Sequence, residues 1–350
     1  MTLDWLKDDR LIEVRNGFRI ARKSYINNRR EILEKTDVSS LKKRLRKIKE
    51  FSIDNLEELK GIAIENLRSQ VVEVYEATSA DNAVSIFKRL VKKGEVIVKS
   101  KSNVIHEIEL VEKLKGRNKF IETDCGDFLV QLCNEKSSHP VTPALHITVD
   151  RIAQALRKRY KARVKPNPDA IANWIKSYLR KRILTADVGL TGANVVSADG
   201  GIFILENEGN ISLVSRVPRR HIIITGIDKI VPTIEDGVII CKALSIWGTG
   251  TRMTSYINII GSPSKTADIQ KKLIYGMHGA EEVDLILVDN GRSKMIKEGF
   301  KEILYCINCG ACMYACPVYR QILYHYGYHY LSGIGIGKTF FNVGVKVAFE

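Results

Sequence analysis

The sequence lacks long hydrophobic runs: no uncharged apolar stretch reaches the roughly 20 residues that a membrane-spanning helix requires. The opening residues, MTLDWLKDDR, are charged from position 4 and contain no apolar segment of the kind that a secretory signal peptide carries. We therefore predict a cytoplasmic protein with no membrane span.

Acidic residues are scarce in one segment of a chain whose formal net charge is +15. Residues 151–182 hold eleven lysines and arginines and a single acid, Asp169. A second basic run, KKRLRKIK at 42–49, has apolar residues at helical spacing. Each run is typical of a solvated helix face or of a surface that docks an acidic partner. Aromatic residues are sparse in the larger run and no nucleic-acid motif accompanies it, so we expect no nucleic-acid partner.

Cysteine is unevenly distributed. Three of the seven cysteines, Cys125, Cys133 and Cys241, are scattered in apolar surroundings, and the other four lie within residues 306–316. This distribution favours reduced thiols and a metal centre over a disulfide framework. We therefore predict a reducing compartment.

The clustered cysteines follow the pattern C-x2-C-x2-C-x3-C-P, with Pro317 after the last one. They are Cys306, Cys309, Cys312 and Cys316. This spacing is the bacterial ferredoxin arrangement for a 4Fe–4S cluster, because thiolates three residues apart on a tight loop reach the corners of one small cube. Zinc and unmetallated thiols are the alternatives, and zinc usually takes two C-x2-C pairs separated by a longer loop.

The sequence contains no second copy of this motif, although the fourth cysteine of the pattern normally ligates a different cluster. One possibility is that Cys316 serves a cluster completed by another polypeptide. The other is that a single cluster takes its fourth ligand from Cys316, from solvent or from a remote cysteine. The candidates within the chain are Cys125, Cys133 and Cys241, for which a buried structural role is the alternative.

Glycine is missing between Gly17 and Gly61, and proline is missing from the same region. Residues 1–67 have apolar positions every three or four residues, which predicts an N-terminal arm of two or three amphipathic helices. Residues 68–298 alternate apolar runs with helical patterns, which predicts an α/β domain with a sheet covered on both faces. Strands are expected at 94–100, 200–207, 221–227, 255–261 and 283–289, and helices at 80–93, 151–160, 167–182, 234–247 and 266–276. A last helix through Met295 and Leu304 leads into a ferredoxin-like iron–sulfur segment at 299–350.

A glycine-rich stretch, GLTGANVVSADGGIFILENEGN at 189–210, predicts a turn, a strand and a second turn. Asn194, Asn207 and Asn210 would line a small polar pocket there as substrate-binding residues. Glu206 and Glu208 are two residues apart at the end of the strand, so we expect both to point outward on one face. A glycine-rich turn with solvated acids is the alternative.

Candidate bases and carboxylate ligands lie elsewhere in the sequence. Oxidation of a 2-hydroxy acid needs a base with a pKa near neutral, and His146, in SSHPVTPALH, is a candidate beside His139 and His221. Arg292, in DNGRSK, is a candidate to bind a carboxylate in bidentate fashion. The sequence has no G-x-G-x-x-G fingerprint of a dinucleotide site.

Several longer segments occur in the order and context seen in the lactate utilisation protein B family. They are KSKSNVIHEIEL, ETDCGDFLVQLCNEKSSHPVTPALH, ADVGLTGAN, ENEGN, GIDKIVPTIED, VDLILVDNGRSK and CINCGACMYACPVYR. The resemblance covers most of the chain. It implies a LUD domain, similar in fold to the ribose-5-phosphate isomerase and CoA-transferase group, joined to a ferredoxin-like cysteine segment.

The same resemblance implies the iron–sulfur subunit of a system that converts L-lactate to pyruvate. Its implied partners are a cysteine-rich-domain subunit similar to part of heterodisulfide reductase and a second LUD-domain subunit. CoA-transferase relatives use a glutamate nucleophile, which makes Glu208, or Glu206, the candidate catalytic carboxylate by analogy of fold. The alternative function is a non-catalytic iron–sulfur electron-transfer adaptor that scaffolds another redox complex.

Family members usually continue beyond the point where this sequence closes, at FNVGVKVAFE, and carry a second cysteine motif there. We expect a truncation, a split gene or a further polypeptide that supplies the second motif. Because a 4Fe–4S centre carries one electron and oxidation of a 2-hydroxy acid releases two, we predict that the chain alone does not oxidise lactate.

Overall fold

The computed structural model describes residues 8, 11–135, 137, 139, 142–144 and 146–349. Its strands are β1 Glu73–Ala77, β2 Val96–Lys99, β3 Lys119–Glu122, β4 Val188–Thr191, β5 Val195–Ser197, β6 Ile202–Glu206, β7 Arg220–Gly226, β8 Ile230–Val231, β9 Tyr256–Ile260, β10 Lys265–Thr266, β11 Ile274–Tyr275 and β12 Glu282–Val288.

The α-helices are α1 Leu11–Glu34, α2 Val38–Asp54, α3 Leu56–Ser69, α4 Ala80–Leu90, α5 Asn103–Glu107, α6 Leu110–Lys113, α7 Cys125–Cys133, α8 Val149–Tyr160, α9 Pro168–Leu184, α10 Asn210–Val214, α11 Ile234–Leu244, α12 Arg292–Lys297, α13 Ala311–Ala315, α14 Tyr319–Ile322, α15 Ser332–Asn342 and α16 Val345–Phe349. A π-helical turn, Ser245–Thr249, extends α11, and 3-10 turns cover Ile227–Lys229, Lys301–Tyr305 and Leu323–His325.

A parallel sheet of six strands forms the centre of the molecule, in the order β1-β12-β7-β4-β2-β3. Every neighbouring pair runs parallel, with Leu285 of β12 opposite Ile223 of β7 and Leu190 of β4 opposite Ile222 of β7. The middle strands are buried along nearly their whole length, as expected for a parallel sheet covered on both faces. The predicted α/β class is confirmed.

Helices cover both faces of this sheet and thereby create two apolar cores. On one face, Phe87 of α4 and Ile105 of α5 pack against alternate residues of the middle strands. On the other face, Leu59 and Leu67 of α3 pack against the intervening residues. A third core joins β3 to α7, α8 and α9 at the edge of the sheet. Asn167 caps α9 through its side chain, and Pro168 is the first helical residue, as the sequence predicts.

A second, four-stranded sheet has the order β8-β5-β6-β9 and contains two antiparallel pairs. It includes the strands predicted at 200–207 and 255–261. The helix predicted at 266–276 is wrong: this stretch runs from the last residue of β10 through β11, and the two strands pair antiparallel. Gln270 and Lys271 both have positive φ there, which no α-helix accommodates.

The predicted N-terminal helices are present as α1, α2 and α3, and α1 packs against the C-terminal segment. Leu11, Phe18 and Tyr25 of α1 share a core with Tyr314 and Tyr319. The Tyr25 and Tyr314 rings stack with centroids 3.9 Å apart. These contacts make the arm one wall of the cysteine segment.

The last helix before the cysteines is shorter than predicted. Helix α12 ends at Lys297, Gly299 adopts φ +84°, and a separate 3-10 turn covers Lys301–Tyr305. Met295 and Leu304 still share one apolar core. Within the described part of the chain, no helix combines the length and apolar character needed to cross a bilayer. The division into the three predicted domains stays a prediction.

Candidate functional site

Parallel strands β2 and β3 end side by side, and charged residues follow both ends. Together with the turn after β6 they form what we call the acidic cluster: Glu122, Asp124, Asp127 and Glu208, with Lys99 and Lys101. The carboxyl edge of a parallel sheet is where α/β domains usually bind ligands, because the loops that follow the strands leave a crevice there.

Lys99 and Glu122 are the last residues of their strands and lie opposite each other in the register. Lys99 Nζ is 2.8 Å from Glu122 Oε2, and both side chains are mostly buried. Lys101 Nζ lies 3.9 Å from Asp127 Oδ1. Burial raises the pKa of Glu122 to about 7, against the opposing effect of Lys99. The cluster therefore contains a carboxyl group that titrates near neutral pH.

Glu208 reaches this cluster from the turn between β6 and α10. Its Oε2 accepts a hydrogen bond from the backbone N–H of Cys125, at 3.0 Å, at the start of α7. The residue as a whole is exposed, but the carboxylate faces the protein, and burial together with Asp124 raises its pKa to about 7. A carboxyl group with a pKa near 7 can both accept and donate a proton at neutral pH.

The three asparagines of the predicted pocket do not converge. Asn210 lies beside Glu208 in the chain, and its Nδ2 donates to Thr123 Oγ1 at 3.1 Å, within the acidic cluster. Asn194 Oδ1 accepts from the Leu205 N–H at 2.9 Å and so supports the pairing of β5 with β6. Asn207 Oδ1 accepts from the N–H of Ser255, just before β9. Of the three asparagines, Asn210 is the one that reaches the acidic cluster, through Thr123, which stands between Glu122 and Asp124.

The strand period predicts that Glu206 points outward beside Glu208, but in the structure it does not. It is buried, and its carboxylate caps α10 by accepting from the N–H groups of Ile211, at 2.6 Å, and Ser212, at 2.9 Å. Asn258 Nδ2 donates to it at 2.8 Å. The prediction was wrong because Glu206 is the last residue of β6, so the strand alternation does not extend to Glu208.

His146 and Arg292 lie in other surroundings. His146 is buried, with Nε2 3.9 Å from Glu135 Oε2. Arg292 is 1% exposed, and all five of its N–H donors are engaged, by Glu107, Asp228, the Asp289 carbonyl and Tyr330. Its expected role as a ligand for a substrate carboxylate therefore needs correction: Arg292 serves the interior of the protein.

The four clustered cysteines lie on a loop and on the short helix α13. Asn308 and Gly310 have positive φ, +60° and +75°, and these left-handed residues curl the chain between Cys306 and Cys312. The backbone at Cys309 packs closely on the π-helical turn, where a Cβ added to Gly248 would lie 3.3 Å from the Cys309 carbonyl oxygen.

Backbone N–H groups donate to two of these sulfurs. Asn308 N–H donates to Cys306 Sγ at 3.4 Å, and Tyr319 N–H donates to Cys316 Sγ at 3.4 Å. Cys312 Sγ is 3.5 Å from Ser332 Oγ of α15. Burial, with smaller contributions from Cys306 and Cys312, raises the pKa of Cys309 to about 11. The loop thus already places hydrogen-bond donors around sulfur atoms, a feature that tunes iron–sulfur centres.

Four thiols with N–H donors at sulfur are the donor set that a 4Fe–4S cluster uses, so these residues fit such a cluster by their chemistry. Their present arrangement is not a closed ligand cage. Among the described residues, no group of three or more His, Cys, Asp or Glu side chains is gathered so that it could hold a metal ion. Cys306, Cys309, Cys312 and Cys316 remain the predicted ligands.

The remaining three thiols lie outside this loop. Burial raises the pKa of Cys241 to about 12 and that of Cys125 to about 11, and it also raises that of Cys133. Cys125 and Cys133 lie on α7 and Cys241 lies on α11, apart from the cysteine run.

Apart from Glu208, no member of the acidic cluster was predicted from the sequence; the others are Lys99, Lys101, Glu122, Asp124 and Asp127. Glu122 and Asp124 stand in the segment ETDCGD, directly after the apolar residues of β3. Polar residues at the end of a buried strand are the signal that could have identified them.

The LUD domain family matches residues 61–288. Lactate utilization protein B of Bacillus subtilis (strain 168) is 35% identical over 294 residues, which is 82% of this chain and 60% of the relative. The protein of the same name from Geobacillus sp. (strain WCH70) has the same identity and coverage. The chain therefore spans 60% of the length of these relatives.

A solved structure also resembles the chain. It is a crystal structure of a DUF162 family protein from Deinococcus radiodurans, 14% identical, with a TM-score of 0.36. The match covers 67% of this chain and 98% of the other.

Proposed function

Because the chain belongs to the LUD domain family, we propose that it takes part in lactate utilization as an iron–sulfur electron-transfer subunit. The proposed process is the oxidation of L-lactate, or a related 2-hydroxy acid, to pyruvate by a complex of several components. The similarity to proteins named lactate utilization protein B supports the choice of process.

The observation that carries the proposal is the cysteine run. Four thiols lie within residues 306–316, with backbone N–H groups donating to Cys306 and Cys316. Cys306, Cys309 and Cys312 would hold a 4Fe–4S cluster, with Cys316 as its fourth ligand or as the ligand of a second centre. A bound cluster supplies transfer of one electron at a time. The protein supplies burial, hydrogen bonds to sulfur and a fixed position next to the α/β domain.

The proposed reaction needs partner subunits because it releases more electrons than one 4Fe–4S centre accepts. Converting a 2-hydroxy acid to a 2-oxo acid releases two electrons and two protons, and one 4Fe–4S centre accepts one electron. The proposed partners are a cysteine-rich-domain subunit similar to part of heterodisulfide reductase and a second LUD-domain subunit. A further polypeptide carrying a second cysteine motif would complete the electron path.

The first test is a count of iron and acid-labile sulfide in anaerobically reconstituted protein, with EPR spectra before and after dithionite. We expect about four irons per chain and a signal that appears on reduction. Cys309→Ser should lose most of the iron, because it removes a thiol from the middle of the run. Cys133→Ser is the matched control: it changes an equally partly buried thiol outside the run and should keep the iron.

Two results would contradict the proposal. One is wild-type protein that binds no iron under reconstitution. The other is iron binding that survives Cys309→Ser but fails in Cys133→Ser, since the metal would then lie elsewhere in the chain.

A second candidate is a non-catalytic adaptor whose LUD domain scaffolds the complex. The hydrogen bonds of Asn194, Asn207 and Arg292 favour the adaptor, because these side chains bond within the fold and do not line a common pocket. The position of Glu208 favours a chemical role, because its raised pKa suits proton transfer.

Glu208→Gln separates the two candidates in the assembled complex. The amide oxygen can still accept from the Cys125 N–H, so the local geometry is kept while the ionisable group is lost. A chemical role predicts a loss of lactate turnover of a hundredfold or more, in the range on the order of 10² to 10⁴ for general acid–base groups. A scaffold role predicts unchanged turnover and unchanged assembly.

A further inference from the structure

A group of buried cations lies next to the cysteine run and is not explained by the α/β fold. We call it the cation cluster. Its members are Lys49, Lys229, Arg292 and Lys338, with the carboxylates of Glu107 and Asp228, and all six residues are buried. Lys49 belongs to α2 and Lys338 to α15, so elements from outside the central sheet bring charge to its carboxyl edge.

Arg292 and the two carboxylates form the centre of the cluster. Its guanidinium pairs in bidentate fashion with Glu107, at 2.9 and 2.7 Å, and Nε donates to Asp228 Oδ1 at 2.6 Å. Asn290 and the Tyr330 hydroxyl also donate to Glu107, at 2.7 and 2.6 Å. Glu107 is therefore saturated by this arginine and two neutral groups.

The three lysines meet at Asp228. Lys229 Nζ lies 3.3 Å and Lys338 Nζ 4.0 Å from Asp228 Oδ2. Lys49 Nζ donates to the Asp228 backbone carbonyl at 2.5 Å. The Asp228 carboxylate thus faces two ammonium groups and one side of a guanidinium, and the Asp228 backbone carbonyl accepts from a third ammonium group.

The cluster carries more positive than negative charge. Four cations face two carboxylates, and an uncompensated buried charge is strongly unfavourable. Burial, with a contribution from Lys229, lowers the pKa of Lys49 to about 7, and burial also lowers that of Lys338. With all four cations protonated, positive charge exceeds negative charge in the cluster, so the cluster would stabilise a further anion close by.

The cysteine run adjoins Lys338, so a negative charge on this run would lie close to the cation cluster. Lys338 Nζ donates to Asn308 Oδ1 at 3.3 Å, and Asn308 N–H donates to Cys306 Sγ at 3.4 Å. A negative charge on Cys306 favours the charged forms of both Lys49 and Lys338. Asn308 therefore joins the cation cluster directly to the first cysteine of the run.

We infer that the cation cluster is the counter-charge of an iron–sulfur centre on the cysteine run and raises the reduction potential of that centre. The inference rests on the proposed function. A 4Fe–4S centre held by thiolates is an anion and gains a further negative charge on reduction. Nearby fixed cations stabilise the reduced form more than the oxidised form, because net charge is one of the determinants of the potential.

The test is Lys338→Met, which removes the ammonium group and keeps the length of the side chain. The midpoint potential is measured by an EPR-monitored redox titration of the reconstituted protein. We expect a more negative potential, by at least 59 mV, which corresponds to a tenfold change in the one-electron equilibrium. Lys338→Arg, which keeps the charge, should stay near the wild-type potential.

Lys297→Met is the matched control, because Lys297 is an exposed lysine on α12 next to the same region. It should leave the potential unchanged. Lys49→Met, on a different helix, repeats the test if Lys338→Met does not fold, and it should shift the potential in the same direction.

A second measurement needs no metal. In iron-free protein the cation cluster lacks its anion, so Lys338→Met should raise the melting temperature or leave it unchanged. In the iron-loaded protein the same change should speed the loss of iron on dilution into chelator. A lysine that merely supports the fold would instead lower the melting temperature of the iron-free protein when it is replaced.

The outcomes separate the inference from the proposed function. Iron-loaded Lys338→Met or Lys49→Met with a wild-type potential overturns the inference and leaves the function standing. Wild-type protein that binds no iron overturns both. If neither lysine variant folds without iron, the lysines stabilise the iron-free fold and the counter-charge assignment is wrong.

Discussion

The carboxyl edge of the parallel sheet carries two charged clusters with opposite properties. The acidic cluster, around Glu122 and Glu208, has four acids against two lysines and is partly open to solvent. The cation cluster, around Arg292 and Asp228, has four cations against two acids and is buried. The same sheet edge therefore offers one region suited to proton transfer and another suited to stabilising a negative charge.

This difference shows why a charged residue cannot be assigned from its type alone. Arginine is a common carboxylate ligand, but burial commits Arg292 to Glu107 and Asp228. Glutamate on a turn is commonly solvated, but the position of Glu208 near Asp124 raises its pKa to about 7. The surroundings of each group determine its chemistry.

The largest effect is expected from breaking the cation cluster at its centre. Arg292→Met leaves the buried carboxylate of Glu107 without its cation, and removing one partner of a buried ion pair costs about 3–5 kcal/mol. Urea denaturation of the wild-type and variant proteins measures the difference. Arg219→Met is the control, because Arg219 pairs with Glu281 at the exposed surface and should lose no more than about 1 kcal/mol. Similar losses for the two variants would contradict the expected difference between a buried and an exposed ion pair.

A smaller, pH-dependent effect is expected in the acidic cluster. The folded-state pKa of Glu208 is raised to about 7, above its ordinary value, so the folded protein binds more protons than the unfolded chain between about pH 4.5 and 7. The contribution of Glu208 to stability is therefore present at low pH and is lost as the pH rises through this window. Because the residue is partly solvated, the slope should lie below about 1.4 kcal/mol per pH unit.

Glu208→Gln should remove this slope. The free energy of unfolding of the two proteins, measured by urea denaturation from pH 4.5 to 7.5, should converge at the acidic end and diverge in favour of the variant at the neutral end. Glu281→Gln, at an exposed surface pair, serves as the control. A difference that is constant with pH would contradict the raised pKa.

The smallest effect concerns salt. Lys101 opposes the raised pKa of Glu208, so Lys101→Met should increase this pKa further. NMR titration of the Glu208 carboxyl carbon should show the increase at 0.01 M salt and little of it at 1 M, where the screening length falls to about 3 Å. The effect of Lys338→Met on the redox potential should persist at both salt concentrations, because that lysine is buried. Equal salt sensitivity would contradict the contrast in burial.

The sequence was sufficient to predict the main strands of the fold, because their residues are apolar nearly throughout. Strands β7 and β12 were predicted within one residue at each end. Segment 266–276 misled the prediction because Ile269 and Leu273 have helical spacing, yet both side chains are exposed, on the connection between β10 and β11. The short strands β5 and β8 escaped detection because two or three residues show no period.

The candidate site was predictable where it depends on local spacing and not where it depends on distant contacts. The cysteine run is visible from the spacing of four residues. The cation cluster joins Glu107 to a partner 185 positions away and Lys49 to a carbonyl 179 positions away, which no local pattern encodes. Lys338, a lysine within the apolar and glycine-rich helix α15, is the local feature of the sequence that points to the cation cluster.

The packing of α1 against the cysteine segment also links regions that are remote in sequence. Arg22 Nε donates to the Tyr314 carbonyl across 292 positions, and Arg15 Nε donates to the Gln321 carbonyl across 306 positions. Contacts between such distant positions require closing a long loop, and the surrounding contacts must offset the entropic cost of this closure. A substitution in α1 that removes these contacts would therefore act on the cysteine segment, although the two are far apart in the chain.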